Sequence, residues 1–128
     1  MSEKNLALLK EFAAAWNRHD VDALMSMMTE DCVFHTVAGD GLRGTTHTGQ
    51  AAVAKAFEQA WLTCPDAQWT DFIAQVVDDF GFYSTTYSGT TADGMRTEAR
   101  MVDLITFRDG KIAIKDAYRK NRPAFKSE

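Results

Sequence analysis

Apolar residues recur at helical spacing in the first half of the chain and with a period of two in the second. Over residues 3–17, Leu6, Leu9, Phe12, Ala13 and Trp16 fall on one face of a predicted amphipathic helix, with Ser2 as its N-cap. Asp20 is placed to cap a second helix from Val21 to about Met28, whose inner side carries Leu24, Met25 and Met28. Thr29-Glu30-Asp31 reads as a break and Cys32–Val37 as a short strand. Ala38–Thr48, with three glycines, several threonines and no periodicity, reads as a loop of the length that often forms a lid or rim. A third helix runs from Gln50 to about Leu62, with Val53, Ala56, Phe57, Ala60 and Trp61 inward, and Pro65 stops it. Strands follow at Trp69–Val77 and Phe82–Thr90, then a hairpin over residues 100–118 around Asp109-Gly110. Helices come first and strands after, without alternation, so the predicted fold is α+β with a meandering antiparallel sheet in one domain over residues 1–128.

The last hairpin carries the candidate chemistry. Side chains alternate along a strand. Met101, Asp103, Ile105 and Phe107 therefore share a face, and a two-residue turn adds Ile112, Ile114, Asp116 and Tyr118 on the return. That face is apolar apart from the two aspartates. In this register Asp103 opposes Asp116, at the roughly 4.5–5.5 Å typical of directly paired Cβ atoms. Two carboxyl groups that close in a poorly solvated place do not both ionise easily, so they are expected to share a proton and act as an acid/base pair. A three-residue loop with a bulge would shift this pairing. The bland alternative is an anchoring role, each aspartate bonded to a neighbouring Tyr, Trp, backbone group or Arg.

Composition narrows the partners. A net charge of −4 and a pI near 5.3 argue against nucleic acid. No apolar run approaches the ~20 residues of a membrane span, and the first residues do not resemble a signal peptide. Cys32 and Cys64 have neither zinc nor redox spacing and read as buried free thiols, which suits the cytoplasm. His19, His35 and His47 are too scattered to suggest a metal site. Neither a phosphate-binding nor a dinucleotide fingerprint occurs, so the sequence implies no cofactor.

Trp16-Asn17-x-x-Asp20-x-Asp22-x-Leu24 followed by Thr29–Phe34, then Gly49–Val53 with Phe57, then Asp103-x-x-Thr106–Ile112, resembles the NTF2-like superfamily and most closely its SnoaL-like proteins, over about residues 5–120. The resemblance implies a cone formed by a curved sheet wrapped against three helices, a buried apolar pocket, and a homodimer built on the outer sheet face. Inward periodicity nominates Phe12, Trp16, Met28, Phe34, Thr36, Phe57, Trp61, Met101, Ile105 and Tyr118 as pocket lining, with core packing as the alternative for each. Against ketosteroid isomerase, the oxyanion-hole acid falls on Asp103, but Thr36 stands at the base and Phe12 at the tyrosine. Against limonene epoxide hydrolase, one water-activating aspartate falls on Asp116, without its partners. The polyketide cyclases of the SnoaL group use a pocket aspartate for which Asp103 is the counterpart. Two functions follow: a cofactor-independent isomerase, cyclase or dehydratase acting on a small apolar carbonyl compound through Asp103 and Asp116, or a non-catalytic ligand-binding or structural dimer.

Overall fold

The computed structural model describes residues 2–127. Its elements are α1 (Ser2–Arg18), α2 (Val21–Ser26), β1 (Met28–His35), β2 (Thr46–Thr48), α3 (Gln50–Thr63), β3 (Gln68–Val77), β4 (Phe80–Thr90), β5 (Arg96–Arg108) and β6 (Lys111–Arg119). The strands form one six-stranded sheet in the order β2-β1-β6-β5-β4-β3. β1 and β6 run parallel and the other pairs antiparallel. This is the expected α+β class.

Capping chemistry sets the start of α2. Asp20 Oδ1 accepts from the Ala23 N–H at 3.1 Å and starts α2 as expected. Ser2 acts differently: it lies within α1, and its hydroxyl accepts from the Asp78 N–H at 2.9 Å, tying the helix to the β3–β4 turn. Met28 opens β1 rather than ending α2, and Thr29–Asp31 belong to the strand. Pairing with β6 lapses between Met28 and Val33, so that stretch bulges. Further register shifts occur between Thr70 and Ile73 and between Thr106 and Phe107. Each bulge bends and twists its strand, and together they curl the sheet around the helices. Leu9, Phe12 and Trp16 of α1 and Val53 and Phe57 of α3 fill the concave side against Tyr83, Ile105, Phe107 and Ile112.

Within the Ala38–Thr48 loop, Thr46–Thr48 pair with β1. Gly44, at φ +74°, brings its Cα against the Thr36 carbonyl, which a Cβ would meet at 2.3 Å. Only glycine fits there without moving backbone.

The adjacent residues Trp16 and Asn17 divide two tasks. Trp16 enters the core, while Asn17 acts as a strand partner for β3. Its Nδ2 donates to the Trp69 carbonyl at 2.8 Å, and its Oδ1 accepts from the Trp69 N–H at 2.7 Å. Replacing Asn17 by Ala leaves both Trp69 backbone groups unpaired and should cost about 1–3 kcal/mol. Urea denaturation of the two chains measures it, and an unchanged midpoint would contradict this role.

Candidate functional site

The β5–β6 hairpin builds the site, and its register differs from the simple reading. Asp109 and Gly110 both have positive φ (54° and 76°), as a two-residue turn of this kind requires. Phe107 opposes Ile112 as expected, but Thr106 then opposes Ile114, leaving Ala113 as an unpaired bulge residue. Ile112 and Ala113 are consecutive and both buried. Beyond the bulge the inward positions of β6 change parity: Ile105 opposes Lys115, Asp103 opposes Ala117, and Asp116 opposes Leu104. The expected Asp103–Asp116 pair does not form. Asp116 lies on the outer face, 3.9 Å from the Arg43 guanidinium, and accepts from the Tyr118 hydroxyl at 3.3 Å.

A lysine takes the place of the second aspartate. Lys115 Nζ donates to Asp103 Oδ1 at 2.6 Å, with side chains 5% and 2% exposed respectively. The ammonium also lies 5.2 Å from the Trp16 ring centre, 5.0 Å from that of Phe34 and 5.9 Å from that of Phe57, within the range of cation–π attraction. Tyr83 opposes Asp103 across the β4–β5 ladder, and its phenol interacts with the carboxyl.

These surroundings shift the acids. Burial pushes the Asp103 pKa above the usual carboxylate range, although the Lys115 charge and hydrogen bonds from Lys115 and Tyr83 pull the other way. Burial, and then the Asp103 charge, push the Tyr83 phenol well above its ordinary value, so it stays protonated and able to donate.

Lys115 and Tyr83 both line a cavity of about 450 Å³, and Asp103 lies behind them, bonded to Lys115 and not itself among the lining residues. Trp16, Phe34, Trp69 and Tyr87 give it aromatic walls, and Arg119 lines it as a second cation on β6. The Trp16 indole N–H is buried without a hydrogen-bond partner among the described residues. His47 stacks on Phe34 with ring centres 6.2 Å apart, while His35 Nδ1 bonds the Thr46 hydroxyl at 2.8 Å.

Of the predicted lining residues, Trp16, Phe34, Thr36 and Met101 reach the cavity. The Thr36 hydroxyl is engaged by its own loop, donating to the Ala38 carbonyl and accepting from the Thr45 N–H. Phe12, Met28, Phe57 and Ile105 are fully buried and pack in the core. Trp61 packs between the two apolar clusters, stacked on His19. Tyr118 is 51% exposed on the outer face, a correction that follows from the same bulge. Lys115, Tyr83, Tyr87 and Arg119 were missed. A buried carboxylate needs a counter-ion, and Lys115 was the adjacent candidate on the paired strand. Strict alternation placed it outside.

A curved sheet closed by three helices over an aromatic cavity with a buried acid–base pair defines a protein of NTF2-like architecture. The chain belongs to the SnoaL-like domain family, whose model matches residues 9–114. An NTF2-like protein of unknown function from Mesorhizobium loti is 26% identical, with a TM-score of 0.74 over 94% of this chain and 93% of that one. A protein from Xanthomonas campestris, described as a candidate polyketide cyclase, is 20% identical with a TM-score of 0.81 over 93% and 92%. TerC, co-crystallised with polyporic acid, is 20% identical with a TM-score of 0.75 over 91% and 92%. The last two show likeness of fold. No curated protein matches the sequence.

Replacing Lys115 by Met removes the strongest influences holding the Asp103 pKa down, so it should rise further. A carboxyl whose folded pKa is raised stabilises fully below the unfolded value, and that contribution is lost as pH rises through the folded one. The Lys115→Met chain should therefore fall further behind the parent as pH rises from acid to neutral, reaching about 3–5 kcal/mol. Chemical denaturation over that pH range tests the sign, and a pH-independent gap would refute it.

Proposed function

We propose that this protein acts without a cofactor on a small, largely apolar carbonyl compound, as an isomerase, cyclase or dehydratase working by proton transfer. The observation that carries this reading is the buried Asp103–Lys115 pair, whose lysine lines the cavity. Asp103 is the proposed acid/base, because a carboxyl with a raised pKa exchanges protons nearer neutrality than an ordinary one. Tyr83 is the proposed donor to an oxygen on which charge develops. The aromatic walls supply apolar contact. Asp116, on the outer face, does not share a proton with Asp103 in this reading, and its charge adds to the upward shift of Asp103. The description of the X. campestris neighbour as a candidate polyketide cyclase agrees with this class.

The second reading is a ligand-binding protein without turnover. It draws on Phe12, which stands at the ketosteroid isomerase tyrosine position and is fully buried in the core. Exchange of the α-hydrogens of a bound aromatic ketone with deuterated water, followed by NMR, separates the two. The enzyme reading expects protein-dependent exchange that Asp103→Asn lowers by a factor on the order of 10²–10⁴. Saturable binding with no exchange above background would leave the binding reading in its place.

The proposed assembly is a homodimer through the convex sheet face. Ile73, Ser84, Val102 and Tyr118 align in register across four strands there, and Ile73, Val77, Phe80 and Tyr118 are each more than half exposed (59%, 73%, 53% and 51%). A face this apolar favours a partner. Sedimentation at micromolar concentration should give twice the chain mass, and Val102→Lys should reduce it to one. A monomeric parent chain would overturn the assembly. The proposed location is the cytoplasm, which suits the two buried free thiols Cys32 and Cys64.

A further inference from the structure

Lys115 is hard to explain as a stabilising residue. A buried ion pair is commonly no better than apolar side chains of the same volume, because desolvation offsets its attraction. Here the lysine contributes to the cavity wall. Among the described residues its amine donates one hydrogen bond, to Asp103. Its other close neighbours are the Trp16, Phe34 and Phe57 rings, which offer no lone-pair acceptor. This places a primary amine in a largely apolar chamber with a proton acceptor 2.6 Å away. Desolvated lysines with an adjacent base are the type that form Schiff bases.

We propose that Lys115 is a nucleophile that forms an imine with a carbonyl ligand in this cavity, with Asp103 carrying the protons. The inference rests on reading the cavity as a carbonyl site. A proton first passes from Nζ to Asp103, leaving a neutral amine and a carboxylic acid. The nitrogen lone pair attacks the carbonyl carbon, and the C=O π pair moves to oxygen, which takes the proton from Asp103. The ammonium formed at nitrogen returns one proton to the carboxylate, giving a neutral carbinolamine. Its hydroxyl takes that proton and leaves as water while the nitrogen lone pair closes the C=N bond. The products are a protonated imine, an ionised Asp103 and one water, so the three ammonium hydrogens are all accounted for. The positive nitrogen then acidifies the α-carbon, and the ionised Asp103 is the base assigned to that proton. The raised Asp103 pKa favours the first transfer.

The test uses acetylacetone, a dicarbonyl small enough for a cavity of about 450 Å³, whose lysine adduct rearranges to an enaminone absorbing in the near ultraviolet. The intact chain should gain the mass of one probe less one water, and peptide mapping should place it on Lys115 while exposed lysines such as Lys55 and Lys120 stay unmodified. Lys115→Met should abolish both signals, and Asp103→Asn should slow their appearance. Probe-induced NMR shifts at Trp16 and Met101 report entry independently of any adduct. Entry without an adduct, or modification spread evenly over surface lysines, overturns the imine and leaves the carbonyl-site reading standing. Absence of both shifts and adduct at saturating probe removes both.

Discussion

Moving a carboxylate and an ammonium out of water costs several kcal/mol per ion in a protein, and the Asp103–Lys115 contact is the interaction through which this fold bears that cost. Either ion alone would be an unpaired charge in a nearly water-free place. Their 2.6 Å hydrogen bond, the Tyr83 phenol and three ring faces together replace the lost hydration. Each partner comes from a different element: β5 supplies the acid, β6 the base, β4 the phenol, and α1, β1 and α3 the rings. The pair therefore needs nearly the whole concave side to be assembled, and it ties the position of the helices to the register of the sheet.

That register depends on Ala113. Without the bulge, the inward positions of β6 beyond Ile112 would be Ile114, Asp116 and Tyr118, and two carboxyl groups would meet in the core with no cation. With it, Lys115 and Ala117 turn inward. A parity change in a strand exchanges every side chain between its two faces. One extra residue thus converts an acid–acid contact into an acid–amine contact, and also places Tyr118 on the apolar outer surface. Ala117, opposite Asp103, is small, and both it and Lys115 line the cavity.

Much of the fold was legible because its signals are local. The Asp109-Gly110 turn, the Asp20 cap, the stop at Pro65 and the alternation of β4 and β5 each follow from a few neighbouring residues, and each appears in the structure. The inward set Met101, Asp103, Ile105 and Phe107 was correct for the same reason. What local signals do not carry is where a strand skips a residue. Ala113 resembles an ordinary small outward residue, and alternation counted through it reverses the assignment of Lys115, Asp116 and Tyr118. The Met28–Val33 irregularity in β1 hid a strand start for the same reason. Phe12 and Phe57 show a different limit: inward periodicity gives burial but not whether a ring packs in the core or faces a cavity.

Lys115 also sets this chain apart from the ketosteroid isomerase pattern it resembles. In that pattern a protonated acid and a tyrosine donate to one oxygen while a separate carboxylate moves the proton. By that resemblance Asp103 falls at the acid position, Thr36 at the base position has its hydroxyl bound within its own loop, and Phe12 offers no hydroxyl. A site that kept only an acid would lack a partner to accept protons. An amine hydrogen-bonded to that acid puts two ionisable groups within one contact, and Tyr83 adds a phenol from the opposite strand. That arrangement depends on one β6 bulge pointing a lysine where an aspartate would otherwise stand.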